Sequence, residues 1–169
     1  MVRRYYRRTP RSNNRDKYSV ENTACTTPPT SSWTPVPASG DLTQASRQFP
    51  ITIVPATDVQ GMRKVKHLTI SFSSEADTRL FYALVYVPGG YEPSFINFPA
   101  LGQSISLYEP NQFVMSSGCL DFTGGPLRIR SPLARNLNSG DSIYLLVAKK
   151  EDDPSTTLFI NCQYAITLQ

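Results

Sequence analysis

The 169-residue sequence predicts an all-β fold, an eight-stranded jelly-roll sandwich behind a disordered basic N-terminal arm. Three observations predict it: positive charge gathers at one end, short segments of strand-like composition recur, and no segment carries an apolar stripe at helical spacing. Of the 17 Lys+Arg, seven lie in the first seventeen residues, opposed by Asp16 alone. That segment is +6, so the whole-chain charge of +4 leaves −2 on the remainder, which holds ten basic and twelve acidic residues. The basic character belongs to a tail and not to the fold.

The arm, residues 1–17, interleaves Arg3, Arg4, Arg7, Arg8, Arg11, Arg15 and Lys17 with Tyr5 and Tyr6. Its like charges and scarce aliphatic residues cannot offset an ordering entropy of roughly 1–2 kcal/mol per residue, so it is expected to be disordered when free. Its cations suit a phosphate backbone and its tyrosines suit base stacking on single strands. A nuclear-import signal and a solubilising tail are the competing readings of the same residues.

The domain is expected to occupy residues 18–169, of which 18–46 are rich in Pro, Ser and Thr. From Pro28 to Pro55 fall six of the chain's 14 prolines, too many for a helix and awkward in a central strand, so this stretch is expected to run extended or pair as an edge. Beyond it, strands are predicted over Arg47 to Val54, Met62 to Phe72, Leu80 to Val87, Gln103 to Leu107, Gln112 to Leu120, Leu127 to Arg130, Ser142 to Ala148 and Leu158 to Leu168. Tyr18 to Cys25 is an optional ninth. The last segment alternates most clearly, with Leu158, Ile160, Cys162, Tyr164 and Ile166 on one face and Phe159, Asn161, Gln163 and Ala165 on the other. Leu80 to Val87 is apolar on both faces, which requires a cover on each side or a subunit contact. Eight strands with long connections suit a jelly roll. An immunoglobulin-type sandwich is the alternative, weakened by Trp33 lying in the proline-rich stretch and by the lack of Cys-Trp-Cys spacing.

The inventory of reactive groups is small. With His67 as the single histidine and no Cys-x-x-Cys, a multi-histidine or paired-cysteine zinc site is not expected, and any histidine-based nucleophile pair would have to use a residue inside a predicted strand. His67 is read as half-buried and bonded to its neighbours. Cys25, Cys119 and Cys162, odd in number and far apart, read as reduced thiols buried as small hydrophobes. No phosphate-cradling glycine loop occurs, no apolar run reaches the roughly twenty residues of a membrane helix, and no apolar stretch follows the N-terminal charges as in a secretory signal. Glu151, Asp152 and Asp153 before Pro154 offer carboxylates for a calcium ion, although a solvated turn or arginine partners are the simpler reading. The expectation is a protein that is not an enzyme and carries no cofactor or metal.

Four stretches, VPATDVQGMRKVKHLTISF (Val54 to Phe72), FYALVYVPGGY (Phe81 to Tyr91), SLYEPNQFVMSSG (Ser106 to Gly118) and RNLNSGDSIYLLV (Arg135 to Val147), resemble the capsid proteins of circovirus-like (CRESS) circular single-stranded DNA viruses. The order of the stretches, with an arginine-rich arm in front, carries the match. The resemblance implies a virion protein that self-assembles into a T=1 icosahedral shell of sixty copies and packages a circular single-stranded DNA genome through its arm. It also implies assembly in the host nucleus, with host import machinery and a host-cell receptor as further partners; membrane insertion is not expected, since no apolar run is long enough. The chain departs from the family in being shorter and in having a less densely basic arm.

That departure has a size. Sixty arms at +6 supply about 360 positive charges, whereas encoding 169 residues takes about 507 nucleotides with about one phosphate each. Further basic residues on the inner surface, or retained cations, are therefore expected to cover the remainder, and the candidate residues are Arg63, Lys64 and Lys66, followed by Arg128 and Arg130. Strict alternation puts Lys64 and Lys66 on the side of Leu68, Ile70 and Phe72, so that strand is expected to leave the core at its start. An ordinary exposed strand end is the simpler reading. A cellular β-sandwich that binds nucleic acid through a basic tail is the alternative function.

Overall fold

A computed structural model of the chain describes residues 18–100, 103 and 106–168. The basic arm, residues 1–17, lies outside the described residues. The strands are β1 (Ser19–Thr26), β2 (Thr34–Val36), β3 (Ser46–Val54), β4 (Arg63–Ser74), β5 (Arg79–Val87), β6 (Phe113–Asp121), β7 (Leu127–Ser131), β8 (Arg135–Leu137), β9 (Ser142–Lys150) and β10 (Leu158–Leu168). They form two antiparallel sheets, one ordered β1-β10-β4-β7 with β8 paired to β4, the other ordered β2-β3-β9-β5-β6. Setting aside the three-residue strands β2 and β8, eight strands remain in the spatial orders first-eighth-third-sixth and second-seventh-fourth-fifth. Those two interlocked orders define a jelly roll and exclude the immunoglobulin arrangement.

The optional segment Tyr18 to Cys25 is a true strand: β1 runs the length of β10 from Ser19 against Ile166 to Thr26 against Phe159. Gln103, Ser106 and Leu107, by contrast, are irregular. They belong to the long connection between β5 and β6, which crosses the outer face of the β2-β3-β9-β5-β6 sheet. There Ile96 and Leu107 pack on Ala83, Val85, Val87 and Leu146, which explains why β5 is apolar on both faces. The chain supplies its own second cover. Two glutamines hold this cover as strand partners would. Gln48 donates to the Ile96 carbonyl at 2.6 Å and accepts from the Ile96 N–H at 3.2 Å, while Gln112 makes the same pair with Ser94 at 2.9 Å each way.

Between the sheets lies the main core, built from alternate residues of β3, β4, β5, β9 and β10 and including Ile51, Ile70, Phe72, Leu84, Leu145 and Ile160. Each such side chain contributes roughly 1.5–3 kcal/mol by leaving water. The proline-rich stretch closes one end of this core where the chain passes from β1 in one sheet to β2 in the other. Trp33, 1% exposed, stacks on Phe49 at 5.9 Å and donates its indole N–H to the Pro28 carbonyl at 3.0 Å. Thr27 and Thr30 bind the backbone of Leu158 and Thr156, which fixes the crossing.

Strand β4 corrects the expected facing of its basic residues. In the pairing with β10, Lys66 faces Ala165 and Thr69 faces Gln163, so His67 and Leu68 together oppose Tyr164. This is a β-bulge, and His67 occupies it with φ of +57° in the left-handed region. The extra residue resets the alternation. Arg63 and Val65 point inward before the bulge, as Leu68, Ile70 and Phe72 do after it, and Lys64 and Lys66 point outward. The strand does not leave the core at its start. His67 is exposed, against the expectation of a half-buried residue.

Candidate nucleic-acid interface

Alternation and register together place the outward side chains of the β1-β10-β4-β7 sheet in rows, the one at the Phe159 end being Thr26, Phe159 and Ser73. Across the strands in order, Ala24, Asn161, Ser71 and Arg128 form one row, and Asn22, Gln163, Thr69 and Arg130 the next. Val20, Ala165 and Lys66 follow, then Lys64 and Asn136 of β8 beside the buried Thr167. No Asp or Glu stands at any of these positions. Amides and hydroxyls fill the middle, while Lys64, Lys66, Arg128 and Arg130 run along one side. The ion pairs among the described residues, Arg47–Glu151 at 3.5 Å and Arg79–Asp121 at 2.9 Å, lie elsewhere and involve none of these four cations.

Tyr18 lies on this face. The ammonium of Lys66 lies 3.7 Å from the centroid of the Tyr18 ring, a cation–π contact at the first described residue after Lys17. The chain therefore enters the domain at the cationic face. A groove of about 440 Å³ beside the bulge is lined by His67, Thr69 and Arg130, and a second, of about 450 Å³, lies at the other end of the face beside Phe159.

Arg63 does not belong to this cluster. It is 7% exposed and its guanidinium donates to the carbonyls of Pro55 at 2.9 Å and Asp141 at 2.8 Å. Its expected place among the genome-facing cations is corrected: it is an inward residue that ties the β3–β4 loop to the β8–β9 turn. Asp141 organises the same end of the sandwich. Its carboxylate accepts from Tyr86 Oη at 2.6 Å and from the N–H groups of Asn138 at 2.7 Å and Gly89 at 2.9 Å. Burial alone would raise the Asp141 carboxyl, but these hydrogen bonds outweigh it and hold the group below its ordinary value. Burial, with the bond to Asp141, pushes Tyr86 up to about 12. The Arg135 guanidinium covers the Tyr86 ring at 4.3 Å, so this cation is engaged as well. Close backbone approach completes the corner, since a Cβ at Gly89 would stand 3.2 Å from the Gly140 backbone.

The remaining candidates resolve in place. Glu151 pairs with Arg47, and the Asp153 carbonyl accepts from the buried Lys149 ammonium. Among the described residues no three His, Cys, Asp or Glu side chains gather as a metal site. Cys162 is buried, Cys25 half-buried and Cys119 exposed, which corrects the expectation that all three thiols are buried. Burial pushes the Cys162 thiol up to about 12. The outward row of Asn161 and Gln163 was visible in the alternation of the last strand, but its alignment with Arg128 and Arg130 depends on pairing register, which no local pattern encodes.

No protein-family model matches the chain, and no curated protein matches it. Among solved structures it is similar to chains of the infectious bursal disease virus Gt strain (11% identity, TM-score 0.39, 92% of this chain and 32% of that one) and Gx strain (12% identity, TM-score 0.32, 89% and 32%). A third is the VP2 subviral particle of the same virus, at 10% identity and a TM-score of 0.25, with 92% and 42% covered. The chain spans about a third of the length of the first two. Its assignment as a jelly roll rests on its own strand order.

Proposed function

We propose that this protein is a viral capsid subunit that assembles into a T=1 shell and packages a circular single-stranded DNA genome, with the basic arm and the outward face of the β1-β10-β4-β7 sheet turned toward the nucleic acid. The observation that carries the reading is the junction at Tyr18. A segment of net charge +6 enters the domain on the face where Lys64, Lys66, Arg128 and Arg130 stand without a carboxylate among them. A basic segment continuous in sequence with Tyr18 and a cationic sheet face beside Tyr18 favour one polyanion engaged by both, held by counterion release with little sequence preference. The eight-strand order supports a shell-forming role, and the four stretches resembling circovirus-like capsid proteins supply the symmetry. The role is structural and not catalytic. Virion location, assembly in the host nucleus, and contacts with import machinery and a host receptor follow from the same reading.

Electron microscopy of the purified full-length protein tests it. Closed particles of uniform size that contain nuclease-protected DNA are the expected result. Monomers or small oligomers across a range of salt and pH overturn the capsid reading, and if such species still bind DNA they identify a β-sandwich binding module.

A further inference from the structure

We propose that Phe159 is a base-stacking residue, and that the outward face of the β1-β10-β4-β7 sheet reads single-stranded DNA as nucleotides, with the base on Phe159 and the phosphates on Arg128 and Arg130. The inference rests on the reading of the protein as a DNA-packaging subunit and adds to it a contact that charge alone does not supply.

Phe159 is 44% exposed and projects from β10 on the same side as Asn161, Gln163 and Ala165. It borders the groove of about 450 Å³ whose other walls include Thr26, Ser71, Ser73, Asn161 and Pro126. An exposed aromatic on its own needs no explanation. Here it stands one row from Asn161, an amide with both donors and acceptors for a base edge, and that row ends on Arg128. Strand spacing and rise put Phe159 and Arg128 about 12 Å apart at their backbones, within the span of a nucleotide plus an arginine side chain. Every base has a π face, so stacking tolerates any sequence, as packaging of a whole genome requires. A duplex keeps its bases stacked inside and cannot use Phe159, so the contact discriminates single strands from double strands.

The test uses the full-length protein and two single-stranded oligonucleotides of equal length, one of mixed sequence and one abasic. Wild-type protein is expected to bind the base-bearing strand about 5- to 100-fold more tightly. Phe159→Ala is expected to lose most of that preference while leaving abasic and duplex affinity unchanged. Because Tyr5 and Tyr6 also carry aromatic rings, the preference must survive in a Tyr5→Ala/Tyr6→Ala variant. Phe159→Trp supplies a direct readout, with emission quenched by the mixed strand and not by the abasic one. Equal affinity of wild type for both strands, or a preference that persists in Phe159→Ala, overturns the stacking role while DNA binding by the protein stands. Loss of assembly in Phe159→Ala with base preference intact also overturns it and makes Phe159 a subunit contact. No binding to either strand removes the DNA-packaging reading together with the inference.

Discussion

Three basic residues within four positions, Arg63, Lys64 and Lys66, have opposite fates, and pleat parity decides them. Arg63 points inward to two carbonyls without a carboxylate partner among the described residues, whereas the lysines point outward. Replacing Arg63 with Ala orphans both carbonyls and is expected to cost about 2–4 kcal/mol in denaturant unfolding, with DNA affinity per folded molecule unchanged. Lys64→Ala/Lys66→Ala should do the reverse, shifting stability by less than about 1 kcal/mol while weakening DNA binding. Equal effects of the two variants on affinity would remove the distinction. Asp141 sets a pH limit on the same corner. Its carboxyl is held below the ordinary 3.8 in the fold, so its contribution is fully present above that value and is lost as pH falls through the folded one. The unfolding midpoint of wild type should therefore fall steeply below about pH 4. Asp141→Asn should be less stable at neutral pH and lose less on acidification, with Asp121, also held low by Thr123 and Arg79, supplying part of the remaining slope. Parallel pH profiles for the two proteins would exclude Asp141 as a source of the acid sensitivity.

At the level of elements, the two sheets solve the problem of their outer faces differently. The β2-β3-β9-β5-β6 sheet is apolar outside and is covered by the β5–β6 connection, latched by Gln48 on Ile96 and Gln112 on Ser94. Since these amide pairs stand in for ladder hydrogen bonds, Gln48→Ala should release the cover by local opening. Amide exchange at Ile96 should accelerate at least about tenfold while β10 amides keep their protection. Uniform acceleration in both would mean that the cover is part of the global unfolding unit. The apolar doubling of β5 made the need for such a cover legible from composition, though not its origin within the chain. Strand segments were legible because alternation and β-branched residues mark them locally. Gln103 to Leu107 has the same local signature, yet Leu107 lies on the cover as an irregular chain, while the polar Tyr18 to Cys25 is a strand because β10 offers it a free edge. The bulge at His67 left no mark in the pattern, so the facing of Arg63, Lys64 and Lys66 was inverted when read from alternation alone.

For the whole molecule, the proposed function has the arm's +6 and the sheet's outward cations act on one nucleic acid, and the share of each can be measured. The domain's net −2 conceals four outward cations gathered on a single face, with compensating carboxylates such as Asp41, Asp58, Glu92 and Glu151 placed elsewhere. Sixty subunits with +6 from the arm and +4 from the face would present about 600 charges in place of about 360, enough to pass the about 507 phosphates of the chain's own coding sequence. The two sources should separate in the salt dependence of binding to a single-stranded oligonucleotide. With a slope of log K against log salt of about −0.7 per neutralised phosphate, seven arm cations and four face cations predict a full slope near −7 to −8. Deleting residues 1–17 should leave a slope of about −3, and replacing Lys64, Lys66, Arg128 and Arg130 with Gln in the full chain should leave about −5. Anisotropy titrations between 50 and about 300 mM salt would read both values. A slope that falls to zero with the arm would make the sheet face a passive surface, whereas one that stays unchanged would place the binding cations outside the arm; only the intermediate result fits a single surface built from both.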